Sequence, residues 1–111
     1  MERIEKPWGH EEWVEINERY VVKRLFMKKG HQCSLQYHVK KQETVVVLEG
    51  MLTLLLDGKA RTMSPFDTVT IPPGLRHRMI AEHSDCLYLE ASTPELDDVV
   101  RLEDAYGRVP G

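Results

Sequence analysis

Short runs of β-branched, aromatic and aliphatic residues, separated by turn signals at regular intervals, constrain the fold of this chain most. The run Tyr20–Met27 has the composition of a strand, and Asp57-Gly58 is a two-residue hairpin signal between two further runs. About eight or nine such runs follow one another, with almost no helical segment between them. The chain is therefore predicted to be all-β, a sandwich or barrel of antiparallel strands, because a parallel sheet needs helical crossovers.

The length and the two ends of the chain predict its domain organisation. With 111 residues the chain is predicted to form one domain, residues 1–111, which is large enough to bury a core. Residues 1–12 are predicted to form an ordered arm, with Trp8 packed on the body of the domain. Residues 92–111 form a tail in which Ser92–Glu95 has the hydroxyl cap and the proline of a helix start. A short helical or irregular tail is expected there.

The composition argues against several classes of partner. The net charge is -3, with acids and bases interspersed, whereas nucleic-acid binding needs a basic surface. No apolar run approaches the roughly 20 residues of a membrane span, and the first residues lack the apolar core of a signal peptide. The chain is therefore expected to be cytoplasmic, without a membrane partner. Cys33 and Cys86 are expected to be small, buried, reduced residues.

Two of the predicted strands are apolar at consecutive positions. Residues 45–47 are all valine and residues 54–56 are all leucine, whereas an antiparallel strand with one solvated face should alternate. Both faces of these strands are therefore expected to be covered. In a domain of this size a second copy of the chain can supply the outer cover, so a homodimer is predicted.

The segment between Gly30 and Gly50 contains three possible metal ligands in close order. Gln36 and His38 are two residues apart, so they point to the same face of an extended strand. Glu43 follows after a short polar link, and it opens the return strand if that link is a hairpin turn. The three side chains can therefore face the same space.

A fourth ligand has to come from further along the chain. His77 is the candidate, because it follows the turn Pro72-Pro73-Gly74 at the start of a strand and can be aimed at the same pocket. Imidazole and carboxylate ligands suit zinc, which is the predicted ion, with manganese, cobalt, nickel and iron as alternatives. The predicted metal ligands are Gln36, His38, Glu43 and His77.

The spacing of these residues resembles the two sequence motifs of the cupin superfamily. The first motif is a glycine, two ligands two residues apart, a glutamate five residues further on and a closing glycine, here Gly30 to Gly50. The second is an acidic turn, an apolar strand, a proline-x-glycine turn and a histidine, here Asp67 to His77. This resemblance implies a small double-stranded β-helix, or jelly roll. Gln36 stands where most cupins have histidine.

A Gln-x-His pair with a later glutamate and histidine is similar to the metal site of phosphomannose isomerases. More closely, the chain resembles the C-terminal cupin domain of bifunctional mannose-1-phosphate guanylyltransferase/mannose-6-phosphate isomerases. The residues that carry this resemblance are Lys6–Gly9, Tyr20–Arg24, Ser34–His38, Ile71–Gly74, His77–Arg78 and Leu96–Arg108. The resemblance implies a metal-dependent enzyme of carbohydrate metabolism that interconverts mannose 6-phosphate and fructose 6-phosphate.

Basic side chains near the ligands are the candidates for contact with a sugar phosphate. Lys40 and Arg78 are predicted to act in catalysis, with Lys41 as a further polar candidate, and the general base is not identified. Two other functions stay open, a cupin that binds a sugar or sugar phosphate without turnover, and a metal-dependent dioxygenase. The acidic residues of the tail are expected to be caps and ion-pair partners, namely Asp97, Asp98, Glu103 and Asp104.

Overall fold

The computed structural model describes residues 1–107, and Arg108–Gly111, the end of the predicted tail, lie outside the described residues. Twelve strands make up the regular structure of this part of the chain, and none of its residues forms a helix. The strands are β1 (Glu2–Lys6), β2 (Gly9–Ile16), β3 (Val21–Met27), β4 (His31–Gln32), β5 (Leu35–Tyr37), β6 (Glu43–Glu49), β7 (Leu52–Leu56), β8 (Lys59–Met63), β9 (Thr68–Ile71), β10 (His77–Ala81), β11 (Cys86–Ser92) and β12 (Val100–Glu103).

Two antiparallel sheets enclose the core. The larger sheet has the strand order β1-β2-β3-β11-β6-β9, and the smaller has the order β12-β5-β10-β7-β8, with β4 also paired to β10. Side chains alternate between the two faces of each strand, so that one face of each sheet is apolar and packs against the other sheet. The predicted all-β architecture is confirmed. The largest fully buried apolar side chains are Tyr88, Met27, Leu52, Leu54, Met63, Ile71 and Met79.

Three strand ends meet at one end of this barrel and bring the predicted ligands together. Glu43 is the first residue of β6 and His77 the first of β10, while His38 directly follows β5. Gln36 lies opposite His77 in the pairing of β5 with β10. Directly opposed residues of an antiparallel pair point to the same face, so these two side chains are on the same side of the sheet.

Both ends of the chain are ordered as strands over most of their described length. The predicted arm contains β1 and part of β2, which pair with each other, and β2 continues the larger sheet through β3. Trp8 lies between them and is only 4% exposed, which confirms that it packs on the body. Cys33 and Cys86 are also buried and free, as predicted.

The helix start expected at Ser92–Glu95 is not formed. Ser92 ends β11, turns follow, and the chain then forms β12, which pairs with β5. The physical reason is the open edge of β5, whose backbone donors and acceptors would otherwise lack partners in the smaller sheet. The tail therefore extends a sheet, and this places it beside the predicted ligands.

The apolar runs face the core with one side of each strand and the outside with the other. Val45 and Val47 are fully buried in the core, whereas Val46 is half-buried on the outer face of the larger sheet. Leu54 is buried in the core, and Leu55 is half-buried on the outer face of the smaller sheet. The predicted homodimer stays a prediction.

Across the described residues, no helix has the length and apolar character needed to span a membrane.

Candidate metal centre

Three buried side chains bring their ligand atoms together at the end of the barrel. The ligand atoms of His38, Glu43 and His77 all lie within 4.8 Å of one another. The Nε2 atoms of both histidines are 3.2 Å from the same carboxylate oxygen, Oε1 of Glu43. The two imidazole rings are tilted relative to each other, with their centroids 5.0 Å apart. Three of the four predicted ligands therefore converge on one point.

Backbone carbonyl groups determine which nitrogen of each histidine faces this point. Nδ1 of His38 lies 2.5 Å from the carbonyl oxygen of Asp98, and Nδ1 of His77 lies 2.9 Å from that of Leu75. A carbonyl oxygen only accepts, so Nδ1 must donate in both hydrogen bonds. In the neutral rings Nε2 is then an acceptor, and both Nε2 atoms point at the carboxylate of Glu43.

The donor set fits a divalent cation. Nε2 of His77 is buried, lies 3.2 Å from Oε1 of Glu43 and makes no hydrogen bond with the described residues. Acceptor nitrogens that face a buried carboxylate repel it unless a proton or a cation lies between them. Tetrahedral zinc with ligands at about 2.0–2.1 Å would hold those ligand atoms about 3.3 Å apart. The two observed separations of 3.2 Å agree with that spacing.

The fourth predicted ligand, Gln36, lines the same cavity as His38. Its Oε1 atom accepts a hydrogen bond of 2.6 Å from the hydroxyl of Ser34, a fully buried residue. This bond fixes the orientation of the Gln36 amide. The geometry thus brings all four predicted side chains to one end of the barrel.

A cavity of about 110 Å³ opens next to His38, and most of its charged lining is basic. Lys41 is only 8% exposed. Nε of Arg101 is buried and has no hydrogen-bond partner within residues 1–107. The charged residues of the lining are Lys6, Lys23, Lys41, Arg101, Glu11 and Glu90.

Two carboxyl groups beside the cavity have opposite pKa shifts. Burial would raise the pKa of Glu43. A proton between the carboxylate and the ring nitrogens of His38 and His77, which takes the place of a cation in the metal-free site, outweighs burial together with the charge of Lys41 and lowers this pKa. Burial raises the pKa of Glu90 well above its usual value, and the negative charge of Glu43 raises it further. Glu43 is therefore the ionised member of this pair and Glu90 the protonated one.

The opposite wall of the cavity is held by a second buried carboxylate. Oε1 of Glu11 accepts a hydrogen bond of 3.0 Å from the indole Nε1 of Trp13 and one of 3.4 Å from Nζ of Lys23. Lys6 approaches the same oxygen at 4.0 Å. Lys23 also lies over the Trp13 ring, 5.5 Å from its centroid. These contacts fix the amino group of Lys23 at the cavity wall.

The two residues predicted to act in catalysis lie outside this cavity. Arg78 follows His77 and so points to the opposite face of β10, where its guanidinium donates to the carbonyl oxygens of Cys33 and Glu103, each at 3.0 Å. Lys40 is exposed and does not line the cavity, whereas its neighbour Lys41 does. Alternation along β10 turns Arg78 away from the face of His77. A catalytic role for Arg78 and Lys40 stays a prediction.

Sequence reasoning did not assign a site role to Glu90 or Arg101. A signal for Glu90 was present, since it is in phase with Cys86 and Tyr88, which face the core of β11. Arg101 carried no local signal. It reaches the site because β12 pairs with β5 and places Arg101 opposite Gln36.

The fold and the donor set together define a cupin. One solved structure with a similar fold is an RmlC-like cupin from Shewanella frigidimarina, with a TM-score of 0.77, 15% identity and 86% coverage of both chains. Another is KdgF from Halomonas sp., with a TM-score of 0.80, 19% identity, and coverage of 87% of this chain and 89% of that one. The predicted jelly-roll cupin fold is thereby confirmed.

The particular family is shown by the sequence. Residues 1–104 match the family described as "Mannose-6-phosphate isomerase C-terminal", and this chain belongs to that family. A mannose-1-phosphate guanylyltransferase of Salmonella typhimurium is 34% identical to it over 96% of this chain. The match spans only 23% of that relative. The predicted resemblance to the C-terminal domain of such proteins is confirmed.

The opposite pKa shifts predict how a Glu90→Gln substitution changes stability with pH. The pKa of wild-type Glu90 is higher in the folded state than in the unfolded state. At a pH between these two values, the folded protein keeps a proton on Glu90 that the unfolded protein releases. Stability from this group is therefore lost as the pH rises through that window. A neutral glutamine does not titrate, so Glu90→Gln should stabilise the fold more at pH 8 than at pH 5.

Urea unfolding of the metal-free protein at both pH values measures this difference. Glu49→Gln, at the exposed end of β6, is the matched control and should show the same small effect at both. An equal effect of Glu90→Gln at pH 5 and pH 8 would contradict the assignment of a protonated Glu90.

Proposed function

We propose that this chain is a metal-dependent isomerase that interconverts mannose 6-phosphate and fructose 6-phosphate. The observation that carries the proposal is the buried donor set of His38, Glu43 and His77, which lies beside a cavity lined by basic side chains. The family to which the chain belongs is named for mannose-6-phosphate isomerase, which supports the same substrate class.

The proposed metal ligands are Gln36, His38, Glu43 and His77, and zinc is the proposed ion. When bound, a divalent ion would polarise the carbonyl and neighbouring hydroxyl of the sugar and favour the negative charge that develops as a proton moves between C1 and C2. His38, Glu43 and His77 are each at most 2% exposed, and electrostatic effects are stronger at a site so shielded from solvent.

The basic lining residues are proposed to bind the phosphate group. Arg101 is suited to this role, because its buried Nε has no hydrogen-bond partner within residues 1–107 and a guanidinium matches phosphate geometry. Lys41 is nearly buried at the same cavity, and Lys23 is held at its wall by Glu11. A dianionic group would offset the positive charge that these three side chains bring together.

A second candidate is a protein that binds a sugar phosphate without turnover. The resemblance to the bifunctional enzymes implies a histidine-rich, arginine-containing segment after the first ligand pair, whereas residues 39–42 of this chain are Val-Lys-Lys-Gln. This difference lies directly between two proposed ligands, His38 and Glu43, and it favours the second candidate. Both candidates require the same cavity and differ only in catalysis.

A coupled assay of mannose 6-phosphate conversion separates the two candidates. The purified chain is tested with added zinc, cobalt or manganese ions, together with a thermal-shift measurement with mannose 6-phosphate and with mannose. Turnover supports the isomerase. Stabilisation by mannose 6-phosphate but not by mannose, without turnover, supports the binding protein. If neither ligand stabilises the protein and no metal gives turnover, both candidates are wrong.

The adjacent lysines provide a matched test of the phosphate site. Lys41 is nearly buried and lines the cavity, whereas Lys40 is exposed. Lys41→Met should lower kcat/KM by about 10-fold or more, mainly through a higher KM, because a charge-assisted hydrogen bond to phosphate contributes about 1.5–3 kcal/mol. Lys40→Met should change kcat/KM less than about twofold. Equal effects of the two substitutions on kcat/KM, or on mannose 6-phosphate affinity if turnover is absent, would contradict this assignment.

The proposal includes a cytoplasmic homodimer. Val46, Leu87 and Leu89 are half-buried apolar residues on the outer face of the larger sheet, where a second copy can cover them. The two free, buried cysteines are in keeping with a reducing compartment. Light scattering at micromolar concentration should give the mass of two chains, and a uniform monomer would contradict the dimer.

A further inference from the structure

One acidic residue of the tail holds the loop that connects two of the proposed metal ligands. The carboxylate of Asp98 accepts hydrogen bonds from three successive backbone amides, those of Val39 at 2.9 Å, Lys40 at 2.7 Å and Lys41 at 2.8 Å. Asp98 lies 57 to 59 residues further along the chain than these amides. This is a tertiary contact. The carboxylate satisfies backbone amides of the loop, as a capping residue does at the N-terminus of a helix.

The backbone of the same residue holds a proposed ligand directly. The carbonyl oxygen of Asp98 accepts the hydrogen bond from Nδ1 of His38, and this leaves Nε2 of His38 facing Glu43. Asp98 therefore contacts the ring of a ligand through its backbone and the adjoining loop through its side chain. Hydrogen bonds from the amides of Val39 and Lys40 lower the pKa of Asp98 to about 2, so the carboxylate is ionised near neutral pH.

The loop determines where two functional groups lie. It starts at His38, after β5 ends, and it leads to Glu43 at the start of β6. Its course sets the distance between these ligands, and it turns Lys41 toward the cavity while Lys40 stays exposed. Gly74 also donates to the carbonyl of His38, so the start of the loop is held from both sides.

We propose that Asp98 is a positioning residue of the metal centre, which orients His38 through its carbonyl and the loop carrying Lys41 through its carboxylate. This role rests on the proposed metal-dependent function. Backbone and carboxylate partners of metal-binding histidines fix the tautomer and the ring orientation, and their loss weakens metal binding by about 10- to 100-fold. A residue that only stabilised the tail would leave the ligand geometry unchanged.

Cobalt binding distinguishes positioning from a purely structural role. The metal-free full chain is titrated with Co²⁺, and the visible absorption of the bound ion reports both affinity and ligand geometry. Asp98→Ala keeps the carbonyl that holds His38 and removes the carboxylate that holds the loop. It should bind Co²⁺ about 10-fold more weakly than wild type, at the low end of the range for such partners, and with a shifted absorption band. Asp98→Asn keeps one acceptor oxygen and should fall between the two. Asp97→Ala is the matched control, because Asp97 is exposed, and it should match wild type.

Hydrogen exchange of the metal-free proteins measures the loop independently of the ion. The amides of residues 39–41 should exchange faster in both Asp98 variants, while the amides of β6 and β11 keep their protection. Unchanged protection of β6 and β11 shows that a variant is folded, and if Asp98→Ala does not fold, the comparison of Asp98→Asn with wild type decides the question.

The outcomes separate this role from the proposed function. If wild type binds Co²⁺ and a folded Asp98→Asn variant gives the same affinity and spectrum, the positioning role is overturned and the metal centre stands. If wild type binds no Co²⁺, the metal-dependent function is overturned, and this role of Asp98 with it.

Discussion

The arrangement of the site depends on the burial of the Glu43 carboxylate between two imidazoles. An ionised carboxylate is costly away from water unless partners surround it. Here His38 and His77 both approach one of its oxygens, and each ring is held by a backbone carbonyl on its far side. These constraints require β5, β6 and β10 to begin or end at the same level of the barrel. The core and the site are therefore parts of one packing arrangement.

The side chains inside the barrel change from apolar to polar along its length. On β11, Tyr88 is buried in the apolar core, whereas Glu90, two residues further on, faces the cavity. On β3, Leu25 is buried in the core, whereas Lys23, two residues before it, lines the cavity. Lys23 and Glu90 are opposed across the two strands, so the change occurs at the same level in both. The ion pair with Glu11 offsets part of the cost of burying Lys23, whereas Glu90 is protonated and carries no charge to bury.

The tail completes the site although it lies far from the ligands in sequence. Its strand β12 covers the edge of β5, and this pairing places Arg101 opposite Gln36. The turn before the strand brings Asp98 to the loop after His38. One segment thus supplies a cation for the cavity and a carboxylate for the loop. The family resemblance of the tail has a structural explanation in these contacts.

The sequence by itself determined the all-β class, the cupin motifs and the positions of His38, Glu43 and His77, because strand alternation and turn residues are local properties. Only the tertiary structure decided that Lys41, and not Lys40 or Arg78, lies at the cavity, since that depends on which face of each segment meets its neighbours. Arg101 and Asp98 reach the site through the pairing of β12 with an open strand edge. That pairing satisfies backbone groups about sixty residues away in sequence, and nothing in the local pattern of the tail specifies it.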